Sequence, residues 1–168
     1  MKLSTLLRTK GKDYFYIMHL SYGGGDKERL WNYAKKNNLI GISHREIIDY
    51  DWKVDSELAK NRISGIWVRQ FNMFCNEMKN DDIVVILDGW HYILGIIESL
   101  GDYEYTPKLS RHYDGDFFGY TRKVLKWTKS FDYEKRLSIQ KPLYGFNNTL
   151  SEVRRDIKWW TNLSTVDF

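Results

Sequence analysis

At 168 residues and 42% hydrophobic content, the chain suits a single domain that buries roughly 70% of the surface its unfolded form exposes. One cysteine and four dispersed histidines exclude a disulfide framework and a standard zinc site, and no run approaches the roughly 18 apolar residues of a membrane helix. The net charge of +4 is compatible with a nucleic-acid partner without requiring one, whereas the 16% aromatic content, with seven Trp and twelve Tyr, is unusual and supplies flat, half-polar surfaces.

Residues 1–12 read as a flexible lead-in without the apolar core of a signal peptide, so a cytoplasmic protein is expected. "DYFYIMHL" (13–20) is rich in aromatic and branched residues and reads as a strand, which "SYGGG" interrupts. Asp26 is placed to cap a helix through about Asn38, with Leu30, Tyr33 and Ala34 on one face. "LIGIS" follows, and Ser43 with Glu46 has capping-box spacing ahead of Ile47 and Ile48. Residues 49–62 are charged and poorly periodic. From Ile66 to Met78, the positions Trp67, Phe71, Phe74, Cys75 and Met78 form a helical stripe, which makes Cys75 a core residue.

"IVVILDGWHYILGIIES" reads as two strands joined at Asp88-Gly89, with Ile93, Leu94, Ile96 and Ile97 in the wall. The chain is then expected to leave the sheet at Gly101, so that Tyr103 and Tyr105 enter a basic loop. "FFGYTRKVLKWT" (117–128) is a further strand, and Thr149 with Glu152 has capping-box spacing before a short terminal helix. With only two prolines and no linker, residues 13–168 form one domain of α+β class, its antiparallel strands curling around a small core.

Motifs for chemistry are sparse. "YGGGDKER" lacks the spacing of a phosphate loop, and its glycines suit a tight turn. Glu77-x-Lys79 followed by Asp81 and Asp82 has a nuclease-like spacing, but it falls at the end of an amphipathic helix, where lysine complements the dipole. His19, His44, His91 and His112 are scattered. A binding domain without cofactor or metal is therefore expected, with a hydrolase acting through Glu77, Asp81 and Asp82, or a protein-binding domain, as alternatives. The segment from Tyr103 to Trp127 interleaves aromatics with Lys108, Arg111, Arg122, Lys123 and Lys126, a combination suited to stacked bases and neutralised phosphates. Phe117, Tyr120 and Trp127 fit the core of their strand, whereas Tyr105 and Tyr113 read as exposed loop rings.

The order of motifs resembles the PUA-like folds, in particular their EVE and YTH branches. The resemblance is carried by "YFYIMHLSYGGGDKERLWNYAKKNNLIGIS", "FCNEMKNDDIVVILDGWHYILGIIESLGDYEY" and "FFGYTRKVLKWT", through Gly41-Ile42, the stretch Met78 to Val84, Gly95, and Val124-Leu125-Lys126-Trp127. It implies a curved antiparallel sheet or small β-barrel flanked by helices, with a partly aromatic pocket for a modified base. Carried over by position, Ser21 and Tyr22 would contact the base edge. Ile42 and Ser43 would form one wall and Tyr113 and Phe118 the other, with Tyr103 and Tyr105 beside the entrance. Arg45, Lys108, Arg111, Arg122, Lys123 and Lys126 would form a phosphate-binding rim.

Ile42 stands where such domains commonly carry tryptophan, so the cage is altered, closed or tuned to another modification. Asn80-Asp81-Asp82 replaces the usual Gly-Asp at the hairpin entry. The implied function is the DNA-binding recognition domain of a modification-dependent, McrBC-type restriction system. It would be the N-terminal part of a longer protein working with a GTP-driven motor domain and a nuclease subunit. The alternative is an RNA-binding domain of the same fold that recognises a modified base.

Overall fold

Alternate residues of the first strand, β1 (Tyr14–His19), belong to two different cores: Tyr16 and Met18 to one, Phe15 and Ile17 to the other. The centre of the sheet is therefore covered on both faces, as expected of a strand that is apolar at nearly every position. The computed structural model describes residues 1–20, 26–110, 118–144, 148–155 and 158–168. The expected glycine turn at 23–25 and the site residues Ser21, Tyr22, Arg111 and Tyr113 lie outside the described residues, as do His112 and Phe117.

Among the described residues, one sheet has the order β2 (Leu39–Ile42), β5 (Tyr120–Ser130), β4 (Tyr92–Tyr105), β3 (Val84–Asp88), β1, β7 (Leu150–Arg154). A short β6 (Leu137–Ser138) also pairs with β4. The β1–β3 pair is parallel and the other pairs are antiparallel, so the expected antiparallel sheet is a mixed one. Repeated register shifts between Ile96 and Tyr103 bend the β4–β5 ladder, and the sheet curls into a half-barrel. The α+β class expected from the sequence holds.

The first core is closed by α2 (Lys27–Asn37), α3 (Trp52–Lys60) and α4 (Gly65–Asn72), which contribute Leu30, Trp31, Ala34, Trp52, Ala59 and Phe71. The Asp26 side chain accepts from the Arg29 backbone N–H at 3.0 Å, as the capping pattern predicts. The Trp67–Met78 stripe also holds, although α4 ends in a π-helical turn, Met73–Glu77, that closes on a bond from Met78 N–H to Met73 O. The second core is closed by α1 (Leu3–Thr9) and, after a short α5 (Pro107–Ser110) that follows β4, by α6 (Lys158–Ser164).

Several expectations give way to tertiary structure. Residues 1–12 are no loose lead-in: Leu3, Leu6 and Leu7 of α1 are buried against the sheet, and Lys2 bridges to Asp167. Residues 49–62 contain α3, capped by the Asp51 carboxylate, which accepts from Lys53 N–H at 3.0 Å. Ser43 does not cap the turn Arg45–Ile47; His44 does, its Nδ1 accepting from Glu46 N–H at 3.3 Å. Thr149 and Glu152 do not open a helix, because Leu150–Arg154 supplies the antiparallel partner on the free side of β1. At the Asp88-Gly89 hairpin, Gly89 takes φ +59°, a conformation that favours glycine, and the strand it launches continues past Gly101 to Tyr105.

Candidate nucleic-acid interface

Of the residues expected to wall a pocket, Ile42, Ser43 and Phe118 are described, and they lie at one end of the β2–β5 ladder, where Ile42 pairs with Tyr120. Ser43 and Gly119 then come so close that a Cβ on Gly119 would sit 2.6 Å from Ser43 Oγ and 2.5 Å from the Ile48 side chain. Any larger residue at 119 would require the Ile48 and Ser43 side chains to move aside.

Beneath this point lies a packed aromatic cluster. The Tyr120 ring meets Phe71 edge-on at 4.9 Å, Tyr105 at 5.5 Å and Tyr103 at 6.2 Å, while Phe71 stacks on Trp52 at 5.1 Å. The tyrosine hydroxyls latch the segment that crosses above them. Tyr105 donates to Ile48 O at 2.6 Å, Tyr103 to Asp51 Oδ1 at 2.8 Å, and Tyr120 places its single proton between the carbonyls of Ile47 and Tyr50. Burial pushes the Tyr103 and Tyr120 hydroxyls well above the usual tyrosine range, so they act here as neutral donors.

This geometry changes the roles expected for several residues. Ile42 and Phe118 are fully enclosed and Tyr103 nearly so, all within the first core. They serve as the floor of the site and offer no face to a ligand. Tyr105 is half-buried and tied to the Ile48 carbonyl, and Ser43 is buried beside Gly119.

Half-buried aromatics also pack at the edge of this core. Tyr33 of α2 packs on Phe118 at 5.3 Å, and the His44 and Trp67 rings meet edge-on at 5.0 Å, with Trp67 leaning on Phe71 at 6.1 Å. From the sequence Tyr33 reads as the core face of its helix, Trp67 as part of a buried stripe and His44 as one of four scattered histidines. The signal that could have separated Trp67 is its place at the N-terminal edge of the stripe, where a helix emerges from the core.

The expected phosphate rim also divides. Arg122 points inward and is 3% exposed. It donates to Gly101 O at 2.9 Å, Phe74 O at 3.1 Å, Met78 O at 2.6 Å and Asn80 Oδ1 at 2.9 Å. Its fork therefore closes the carbonyl end of α4 and the turn that follows, a structural task that removes it from the phosphate rim. Burial lowers its pKa, though an arginine stays cationic. Lys126 is ion-paired with Glu98. Arg45, Lys108 and Lys123 are exposed, Arg45 lying beside Glu46 at 3.3 Å. Arg69 on α4 is a further exposed cation, two residues from Trp67.

One of the nuclease-like acids, Asp82, takes a structural position, whereas Glu77 and Asp81 are exposed. Asp82 is fully buried and accepts from Lys12 at 2.9 Å, Tyr14 at 2.8 Å and the Lys79 backbone N–H at 2.8 Å. It joins the end of α1 and the start of β1 to the hairpin entry, which accounts for an aspartate at this point of the sequence.

Fold and site together define an α+β domain whose curled mixed sheet carries an aromatic rim at the open end of the β2–β5 ladder. The chain belongs to the family described as a domain of unknown function, DUF8426, whose model matches residues 18–154. No curated protein and no solved structure matches it.

Proposed function

We propose that this domain is a PUA-like nucleic-acid-binding module that holds a modified base against the rim formed by Tyr33, His44 and Trp67. The observation that carries the reading is the rim itself: half-buried rings above a floor of Phe118 and Ile42, with the exposed cations Arg45 and Arg69 on the flanking elements. The curled sheet with helices on its faces is compatible with the PUA-like resemblance. The floor is too well filled to enclose a base on all sides, so the rim offers edges and partial faces to a base turned out of its strand. Stacking of that kind contributes about 1 to 3 kcal/mol per base, enough to offset part of the cost of unstacking it. In this reading the domain serves a modification-dependent, McrBC-type restriction system on DNA and has no catalytic role of its own, the motor and nuclease being supplied by other domains or subunits.

Fluorescence anisotropy with matched DNA and RNA oligonucleotides, with and without modified bases, tests the proposal across a salt series. Trp67→Ala should weaken binding to the preferred modified DNA at least about fivefold, the low end of one lost stacking contact, and weaken unmodified DNA less. Equal losses on both substrates would remove the base from the rim, and RNA outcompeting DNA at every salt concentration would transfer the module to RNA.

A further inference from the structure

The two faces of the sheet differ in their surroundings, and the face away from the rim carries a cleft of about 400 Å³ between α1 and the start of α6. Its floor is apolar, made by Leu7 and Trp160, both of which pack against the second core. Its walls are Ser4, Thr5, Arg8, Lys12 and Arg155. Among the described residues the lining contains no carboxylate and is rich in groups that donate hydrogen bonds, which matches an acceptor-only anion.

The cations are not equivalent. The Lys12 ammonium lies 2.9 Å from both Asp81 and Asp82, so its charge is already neutralised. Among the described residues, neither Arg8 nor Arg155 meets a carboxylate, and both are exposed. The Arg155 guanidinium lies over the Trp160 ring, 5.7 Å from its centroid, and that ring packs in turn on Phe15 at 5.4 Å. A guanidinium held through its face keeps its N–H donors available in the plane. Two arginines and two hydroxyls around an apolar floor suit a tetrahedral oxyanion better than a planar carboxylate, which a single fork already satisfies.

We propose that this cleft is a phosphate-binding site, with Arg8 and Arg155 as its principal donors and Ser4 and Thr5 as auxiliary ones. The phosphate would belong either to a nucleic-acid backbone passing over this face or to a small phosphorylated molecule. The site lies on the opposite face of the sheet from the aromatic rim and stands whether or not the rim holds a base.

The test is a titration of the isotopically labelled full chain, followed by NMR at the Trp160 indole N–H and the Arg8 and Arg155 side-chain resonances. The probes are inorganic phosphate and a single-stranded oligonucleotide, at an ionic strength held constant with chloride. Saturable shifts with either probe, weakened about tenfold or more in R8A/R155A, are expected. Shifts with both probes or with the oligonucleotide alone assign the cleft to a backbone, and shifts with phosphate alone assign it to a small molecule. Absence of shifts with either probe, or shifts that persist in the double variant, would overturn the proposal. Trp67→Ala, which tests the rim, should leave the shifts caused by inorganic phosphate unchanged, so failure at one face is distinguishable from failure at the other. Circular dichroism checks that the double variant is folded, which its exposed side chains lead us to expect.

Discussion

Replacing Arg122 measures how far an arginine read as a phosphate contact is instead part of the frame. In Arg122→Met the side chain keeps much of its length, but the carbonyls of Phe74, Met78 and Gly101 and the Asn80 amide oxygen lose their donors. Each buried carbonyl left unsatisfied costs about 1 kcal/mol or more, so the variant should lose about 3 to 5 kcal/mol. That is a large share of the roughly 5 to 15 kcal/mol by which a domain is stable. Arg122→Lys keeps the charge but not the fork. One ammonium does not reach four acceptors that lie around a planar group, and about 1 to 3 kcal/mol should still be lost. Urea unfolding followed by tryptophan fluorescence reads both values, provided the slope of the transition is unchanged. The structural role would be refuted by a loss under about 1 kcal/mol in the Met variant. It would equally be refuted if the Lys variant kept wild-type stability while the salt dependence of DNA binding flattened, since that pattern belongs to a surface cation.

Gly119→Ala would press a methyl group onto Ile48 and Ser43, at separations of 2.5 and 2.6 Å before relaxation, and should destabilise by about 1 to 3 kcal/mol. Thermal unfolding should show Ile48→Ala recovering part of that loss, and an unchanged melting temperature in the single Gly119 variant would contradict the close approach. His19 is 4% exposed, and its pKa is lowered to about 4, chiefly by burial and further by Lys27, with Asp88 opposing. Because the unfolded chain binds the proton from about pH 6.5 downward and the folded one only near pH 4, the stability present above pH 6.5 should fall by about 3 kcal/mol as pH drops between these values. His19→Gln should flatten that part of the profile in urea melts at fixed ionic strength, and an unaltered pH dependence would show that the imidazole is not the group responsible.

Local chemistry made some of this fold readable. The cap at Asp26, the stripe leading to Met78 and the turn at Gly89 each state their structure within a few residues, and each appears as expected. Helix α3 was hidden because its visible apolar residues face outward: Val54 is 79% and Leu58 61% exposed, while the buried positions are Trp52 and Ala59. The spacing of Thr149 and Glu152 is as good a capping signal as any in the chain, yet β1 needs a partner on its free side and Leu150–Arg154 provides it. Pairing across the whole chain overrides local propensity there. The candidate site was only partly legible for the same reason. Whether an aromatic is floor or rim depends on how far the 43–51 segment closes over Tyr120, and that is decided by Gly119 and the hydroxyl latches.

The position of β1 also bears on how the molecule reaches this state. One side of the strand is held by β3 and the other by β7, which lies near the far end of the chain. The β3–β4 hairpin, closed by a tight turn and extended by β5, can form from neighbouring segments, whereas β1 must wait for β3, beyond the intervening helices, and for β7, separated from it by most of the sequence. On a ribosome, an apolar first strand would therefore emerge long before its last neighbour is made. During that interval the Phe15 and Ile17 face depends on the leucines of α1, the nearest apolar cover the chain has already synthesised.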